Sequence, residues 1–371
     1  MQTKFVRKDI VAMESYTPIV PFAVLSRRLG RRPDEIVKLD ANENPYGPSP
    51  KALAALQGGE FFHIYPDPEA TQLREALADY TKTPIEHLLC GAGADEAIDL
   101  VLRVVLEPGD GVIDCPPSFG MYPFSTAVNS GHYIPVPRRA DFSVDVEGVE
   151  TAVSTHPHAK VLFLCSPNNP DGSVIAEADL RRLLALPVLV VLDEAYVDFA
   201  EVSGVPSRLN WVTEHENLVV LRTFSKLAGL AGLRVGYGAF PQWLLPHLWK
   251  IKQPYNINVA AELAAVAALE DKEWLHEKVG LLVAERERMI AELGNISYLQ
   301  PYPSHSNFVL CRVANEGLPN GRSAHQLKLD LEQEGILVRY FNKPGLNNCI
   351  RISAGTPEQT RGVGSIEEIG D

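Results

Sequence analysis

The chain has 371 residues, 46% hydrophobic and 22% charged, with a formal net charge of −13. That balance suits a soluble globular protein of about two domains and excludes disordered or fibrous chains. The acidic surplus argues against a general grip on nucleic acid or an anionic membrane surface, yet leaves room for a pocket where one arginine binds a small anion.

In chain order, the first forty residues are Pro-punctuated and only weakly periodic, which predicts an arm over 1–40. Lys and Arg dot this stretch without an apolar core, so no signal peptide is expected. Gly91-Ala92-Gly93-Ala94-Asp95-Glu96 leads into a helical run from Ala97 to Val105; small residues opening a helix leave N–H groups able to bind a phosphate. Continuous apolar runs follow at 161–165, 188–192 and 217–221, with helical spacing (Leu180, Leu183, Leu184) between the first two. Strand, helix, strand predicts βαβ units and an open, mostly parallel sheet in a domain over 41–255, with ligands beyond the carboxyl ends of its strands. Past Pro254 the texture changes to two helices (259–269 and about 274–293), a strand at 307–311, a helix near 324–334 and strands near Leu337 and Ile350. This predicts a smaller α+β domain over 256–371. Thr356-Pro357-Glu358-Gln359 has the spacing of a capping box opening a last helix.

The five cysteines lack CxxC spacing and four of them end apolar runs, which predicts buried, reduced thiols and a cytoplasmic protein. The histidines show no HExxH pattern, and His156-Pro157-His158 lies in a loop-like segment, so no metal site is expected. The longest apolar run, 186–192, is too short to span a bilayer.

Polar signatures stand directly after the apolar runs. After 217–221 comes Thr223-Phe224-Ser225-Lys226-Leu227-Ala228-Gly229, with Gly232, Arg234 and Gly236 beyond. A lysine that serves as an amine nucleophile must be held near a carbonyl and partly out of water, while Ser225 and Arg234 suit a phosphate. Taken alone, Ser225-Lys226 reads as solvated surface. Pro167-Asn168-Asn169-Pro170-Asp171-Gly172 reads as an ordinary turn, Asp193 as a helix cap, and Phe119 as core. Arg351, inside an apolar strand, calls for an anionic partner.

Together and in this order, these segments resemble the fold-type I pyridoxal-phosphate transferases, the aminotransferases in particular. That likeness implies an α/β fold whose large domain holds a mostly parallel open sheet flanked by helices, with a smaller α+β domain beside it. It implies that Lys226 carries pyridoxal 5'-phosphate as a Schiff base and moves the reacting proton. Asp193 would pair with the pyridinium nitrogen, while Asn169 and Tyr196 would bond the ring oxygen. Phe119 would stack on the ring, and Gly93, Ala94, Asp95, Ser225 and Arg234 would cradle the phosphate. Arg351 would grip the substrate's carboxylate or phosphate, with Asn169 beside it. Leu39-Asp40-Ala41-Asn42-Glu43-Asn44-Pro45-Tyr46-Gly47-Pro48 and His63-Ile64-Tyr65-Pro66 resemble, more narrowly, the histidinol-phosphate aminotransferases. This implies a homodimer in which Tyr65 reaches the partner's cofactor phosphate, and Tyr16 lining the imidazole pocket. The expected reaction is imidazole-acetol phosphate plus glutamate giving histidinol phosphate plus 2-oxoglutarate, in histidine biosynthesis. Aromatic aminotransferases and phosphothreonine decarboxylases share much of the pattern and stay open as alternatives. A pyridoxal-phosphate-sensing transcription regulator would need a basic DNA-binding domain ahead of residue 40. Two positions depart from the family: Asp171 stands for a threonine, and Phe341 for an arginine found in some relatives.

Overall fold

A computed structural model describes residues 2–13, 20–314 and 323–361. Seven strands build the larger sheet: β2 (Leu88–Gly91), β3 (Gly111–Asp114), β4 (His132–Pro135), β5 (Ala159–Cys165), β6 (Leu189–Asp193), β7 (Leu218–Thr223) and β8 (Gly236–Ala239). Their order is β2-β8-β7-β6-β5-β3-β4. β3 to β7 run parallel, and β8 alone is antiparallel to its neighbours.

The continuous apolar runs follow from burial on both faces. In β5, Val161, Phe163 and Cys165 join one core, while Leu162 and Leu164 join the other. β6 and β7 alternate the same way: Leu189, Val191, Val219 and Leu221 pack on one side, Val190, Leu192, Leu218 and Val220 on the other. Each such side chain contributes about 1.5–3 kcal/mol on leaving water. The helix Ala94–Val105 covers one face with Ile98, Val101 and Leu102. All five cysteines are buried free thiols.

The smaller sheet has the order β1-β11-β12-β10-β9, formed by β1 (Val37–Leu39), β9 (Leu299–Pro301), β10 (Phe308–Val313), β11 (Ile336–Tyr340) and β12 (Cys349–Ser353). β1 pairs with β11 in parallel, which ties the N-terminal segment to this sheet; the other pairs are antiparallel. The helix Phe22–Leu29 supplies Leu25 to a small core with Ile36 and Leu337. The expected helices appear as Val259–Leu269, Lys272–Leu293 and Ala324–Gln333. The capping box forms as expected: Gln359 N–H donates to Thr356 Oγ1 (3.4 Å), and Thr356 N–H to Gln359 Oε1 (2.9 Å). Among the described residues no helix is long and apolar enough to cross a membrane.

Candidate active site

The chain reverses direction just after β5, β6 and β7, and each exit delivers polar residues to the same rim. β6 ends on Asp193, which is 3% exposed. Tyr122 donates its hydroxyl to Asp193 Oδ2 (2.8 Å), and Ala195 N–H donates to Oδ1 (3.0 Å). Burial pushes this carboxyl up to about 6, with the Tyr122 bond opposing. The acid is therefore mostly ionised at neutral pH and suited to face a cation. Tyr122 itself stacks on Phe163 at 4.6 Å and meets Phe119 edge-on at 5.7 Å. Three residues past Asp193, the buried Tyr196 hydroxyl accepts from Asn42 Nδ2 (3.1 Å), and burial raises it to about 12.

Past β7, Lys226 donates from Nζ to the Ala41 carbonyl (3.0 Å) and stands 5.8 Å from the Tyr196 ring centroid. Burial first, and the charge of Arg351 second, lower its ammonium from 10.5 to about 8. A tenth or so of the amine is thus neutral at pH 7, one unit below that value. Beyond β5, Asn169 accepts from Arg351 Nη1 (2.6 Å), and Arg351 Nη2 donates to the Asp40 carbonyl (2.7 Å). The turn is held by Asp171, whose Oδ1 accepts from Ser173 N–H (2.8 Å) and whose Oδ2 accepts from Asn168 Nδ2. Gly172, at φ +81°, completes it with a bond to the Asn168 carbonyl (2.7 Å). An aspartate therefore keeps the turn where a threonine was the family pattern.

A second group gathers beside this rim. Gly93, at φ +81°, precedes the helix Ala94–Val105, and no side chain caps that N-terminus. A Cβ at Gly93 would lie 2.6 Å from Arg234 Nη2, and one at Gly236 would lie 2.6 Å from Ala94 N. The two glycines thus let a guanidinium and a strand close on bare helix amides. Arg234 also donates to Asp95 Oδ2 (3.0 Å), and Thr223 Oγ1 donates to Ser225 Oγ (3.0 Å). Helix amides and a guanidinium meet here, with the Ser225 hydroxyl on the turn after β7, a donor set suited to a dianion. With an amine of lowered basicity and a buried acid nearby, the donor set fits a phosphorylated pyridine aldehyde.

Lys226, Asn169, Tyr196, Phe119 and Arg351 line one cavity of about 710 Å³. Phe341 lines it too, its ring 5.6 Å from the Arg351 guanidinium and 5.7 Å from that of Arg339. Tyr65 is elsewhere: 78% exposed, it stacks on Tyr255 at 4.5 Å. Tyr16 lies outside the described residues. Sequence reasoning missed Tyr122, three residues past Phe119, as the partner of Asp193. It also missed Asn42, whose Oδ1 accepts from Ser353 (2.9 Å) and whose carbonyl accepts from Asn307 Nδ2 (3.0 Å). The signal at Asn42 was its place inside a motif read only as a string. Its φ of +55° is a conformation that asparagine tolerates better than most residues.

The family model described as aminotransferase class I and II matches residues 34–363. The chain is 53% identical over 359 residues to the chloroplastic histidinol-phosphate aminotransferase of Nicotiana plumbaginifolia, covering 97% of this chain and 85% of that one. It is 52% identical over 362 residues to the histidinol-phosphate aminotransferase of Roseiflexus castenholzii, covering 96% and 95%. A crystal structure of the Sinorhizobium meliloti histidinol-phosphate aminotransferase in complex with pyridoxal-5'-phosphate superposes with a TM-score of 0.87. It is 29% identical and covers 100% of this chain and 99% of that one.

Proposed function

Because the chain belongs to the class I and II aminotransferases, and within them to the histidinol-phosphate aminotransferases, we propose that its cavity passes an amino group from glutamate to imidazole-acetol phosphate. The products are histidinol phosphate and 2-oxoglutarate, and the reaction serves histidine biosynthesis. The enzyme is pyridoxal-phosphate-dependent and acts on small molecules. When bound, pyridoxal phosphate supplies an electron sink that makes the substrate's Cα–H acidic.

The chain's own residues supply the rest. Gly93, Ala94, Asp95, Ser225 and Arg234 would hold the phosphate, Asp193 the ring nitrogen, Asn169 and Tyr196 the ring oxygen, and Phe119 the ring face. Lys226 Nζ, once free, takes the Cα proton from the amino donor and returns a proton to the acceptor's carbon. The lowered basicity of this amine favours that role, because more of it is neutral at pH 7 than of a lysine near 10.5. Arg351 presents a planar fork that serves glutamate's α-carboxylate in one half-reaction and the phosphate of histidinol phosphate in the other. One guanidinium thereby accommodates both anions in one cavity.

Exposed Phe61, Phe62, Ile64 and Tyr65 form an apolar patch, which supports a homodimer with Tyr65 reaching the partner's site. Five free cysteines support a reducing compartment such as the cytoplasm. The test of the reaction is a single-turnover mix of the loaded enzyme with histidinol phosphate, phenylalanine or glutamate, followed by the cofactor's absorbance. Conversion by histidinol phosphate should be at least about tenfold faster than by phenylalanine. A preference for phenylalanine would replace this reading with an aromatic aminotransferase.

A further inference from the structure

The cavity that holds Lys226 and Arg351 is lined by further polar groups with no part in the chemistry above. Asp114, the last residue of β3, belongs to its wall and is 2% exposed. Cys115 N–H donates to Asp114 Oδ1 (2.8 Å), and the Tyr133 hydroxyl donates to Oδ2 (2.9 Å). An ionised carboxylate offers about four lone-pair sites, so each oxygen keeps capacity for another donor. Arg138 stands in the same wall without taking up that capacity. Its guanidinium donates to the carbonyls of Cys115 (3.0 Å), Phe142 (2.9 Å) and Cys165 (3.3 Å). Lys343, also in the wall, is the other cation close enough to favour the charged form. Burial lifts the acid to about 6, against the bond from Tyr133, so it is mostly ionised at neutral pH.

A buried carboxylate is stabilised by a donor, above all a cationic one. Pro116, Pro117 and Phe119 give the same cavity apolar wall. They suit a flat ring. An imidazole ring brings an N–H donor and titrates near neutrality; a phenyl ring of similar shape brings neither.

We propose that Asp114, held in orientation by Tyr133, accepts a hydrogen bond from the ring N–H of the imidazole substrate and so selects imidazole over benzenoid side chains. The proposal rests on the histidinol-phosphate reading and deepens it. Glutamate, ending in a carboxylate, gains nothing from Asp114, so the two substrates feel this residue differently.

The experiment compares kcat/KM for histidinol phosphate, phenylalaninol phosphate and glutamate in the loaded wild type and in Asp114→Ala, Asp114→Asn and Tyr133→Phe. Phenylalaninol phosphate keeps the amine and the phosphate and replaces only the ring. Wild type should prefer histidinol phosphate. In Asp114→Ala that preference should shrink by about 10- to 100-fold, the value of a hydrogen bond to a charged group. Asp114→Asn, nearly isosteric, should lie between the two, and Tyr133→Phe should lose less than Asp114→Ala. Equal losses for all three substrates would make Asp114 a merely structural group and overturn the proposal. So would an unchanged preference in the alanine and asparagine variants. A wild type that does not turn over histidinol phosphate at all would fail the underlying reaction instead, and that result is read before any variant is made.

Discussion

The rim of the large sheet and the far side of the cavity meet at Lys226, yet they are built on different plans. On the rim, Asn169, Asp193 and Lys226 each stand within a few residues of a buried strand's end, and the strand's two-sided packing fixes where they point. On the far side, the groups come from 40–42, 114–138 and 339–351: Asp114 ends a strand of the large sheet, Arg351 lies in a strand of the small one, and backbone carbonyls of 40–42 join the two regions. Ala41 O meets Lys226, and Asp40 O meets Arg351. Chemistry that must not vary sits on the rigid sheet, while recognition is assembled where loops and two sheets converge.

Substitutions that separate the two plans begin with the largest effect. Lys226→Ala removes the proton carrier, and turnover should fall by about 10²- to 10⁴-fold while glutamate still binds; a loss of under tenfold would end the assignment. The same residue links the two regions through charge. The reactive form of Lys226 is the neutral amine, so capture of pyridoxal phosphate by the apoprotein should accelerate as pH rises and level off above about 8. Arg351 is the second cause of that lowering, so Arg351→Gln should move the plateau to higher pH. A plateau that stays in place would show the two regions to be electrostatically independent.

Next comes Arg351→Lys, which keeps the charge and loses the fork. kcat/KM should drop about 100-fold or more for both glutamate and histidinol phosphate, mainly through KM. A loss confined to one substrate would mean that the two anions use different groups.

Legibility in the sequence follows the same divide. β5, β6 and β7 were readable because two-sided burial writes unbroken apolar runs, and the residues after them could be picked out by position alone. Tyr122 escaped because a buried tyrosine inside a helix looks like core, and only the fold shows its hydroxyl reaching Asp193 across 71 residues of sequence. Asn42 escaped for a similar reason, since its partners Tyr196, Asn307 and Ser353 lie on other elements. Asp114 carries no local mark beyond ending a strand. Its place in the cavity wall depends on how β3 and β4 sit beside the loop after β11.

Asn42 offers a test of moderate size. Asn42→Gly keeps the left-handed backbone and removes the amide that donates to Tyr196. Turnover should fall about tenfold, with a shift in the bound cofactor's absorbance, if the amide positions the tyrosine. Asn42→Ala should cost more, because it adds backbone strain of about 1 kcal/mol. A harmless Asn42→Gly beside a damaging Asn42→Ala would assign the role to the backbone rather than the side chain.

The smallest effect is expected at Asp171, where the resemblance implied a threonine. Two contributions oppose each other in Asp171→Thr. The threonine hydroxyl can still accept from Ser173 N–H, but it cannot also serve Asn168 Nδ2, so about 1 kcal/mol is lost with that bond. Against this, burial raises the Asp171 carboxyl above its ordinary value. A raised carboxyl means that the folded state holds the proton longer than the unfolded one, so stability declines as pH climbs through that range. Removing the acid removes the decline, and at pH 7 the gain offsets much of the lost bond. Urea unfolding at pH 7 should therefore place Asp171→Thr within about 1 kcal/mol of the parent, and turnover within about threefold. Asp171→Ala, which takes an acceptor from Ser173 N–H and leaves Asn168 Nδ2 only the Pro117 carbonyl, should lose about 1–3 kcal/mol. If threonine proves as harmful as alanine, the carboxylate does more at this turn than accept two bonds.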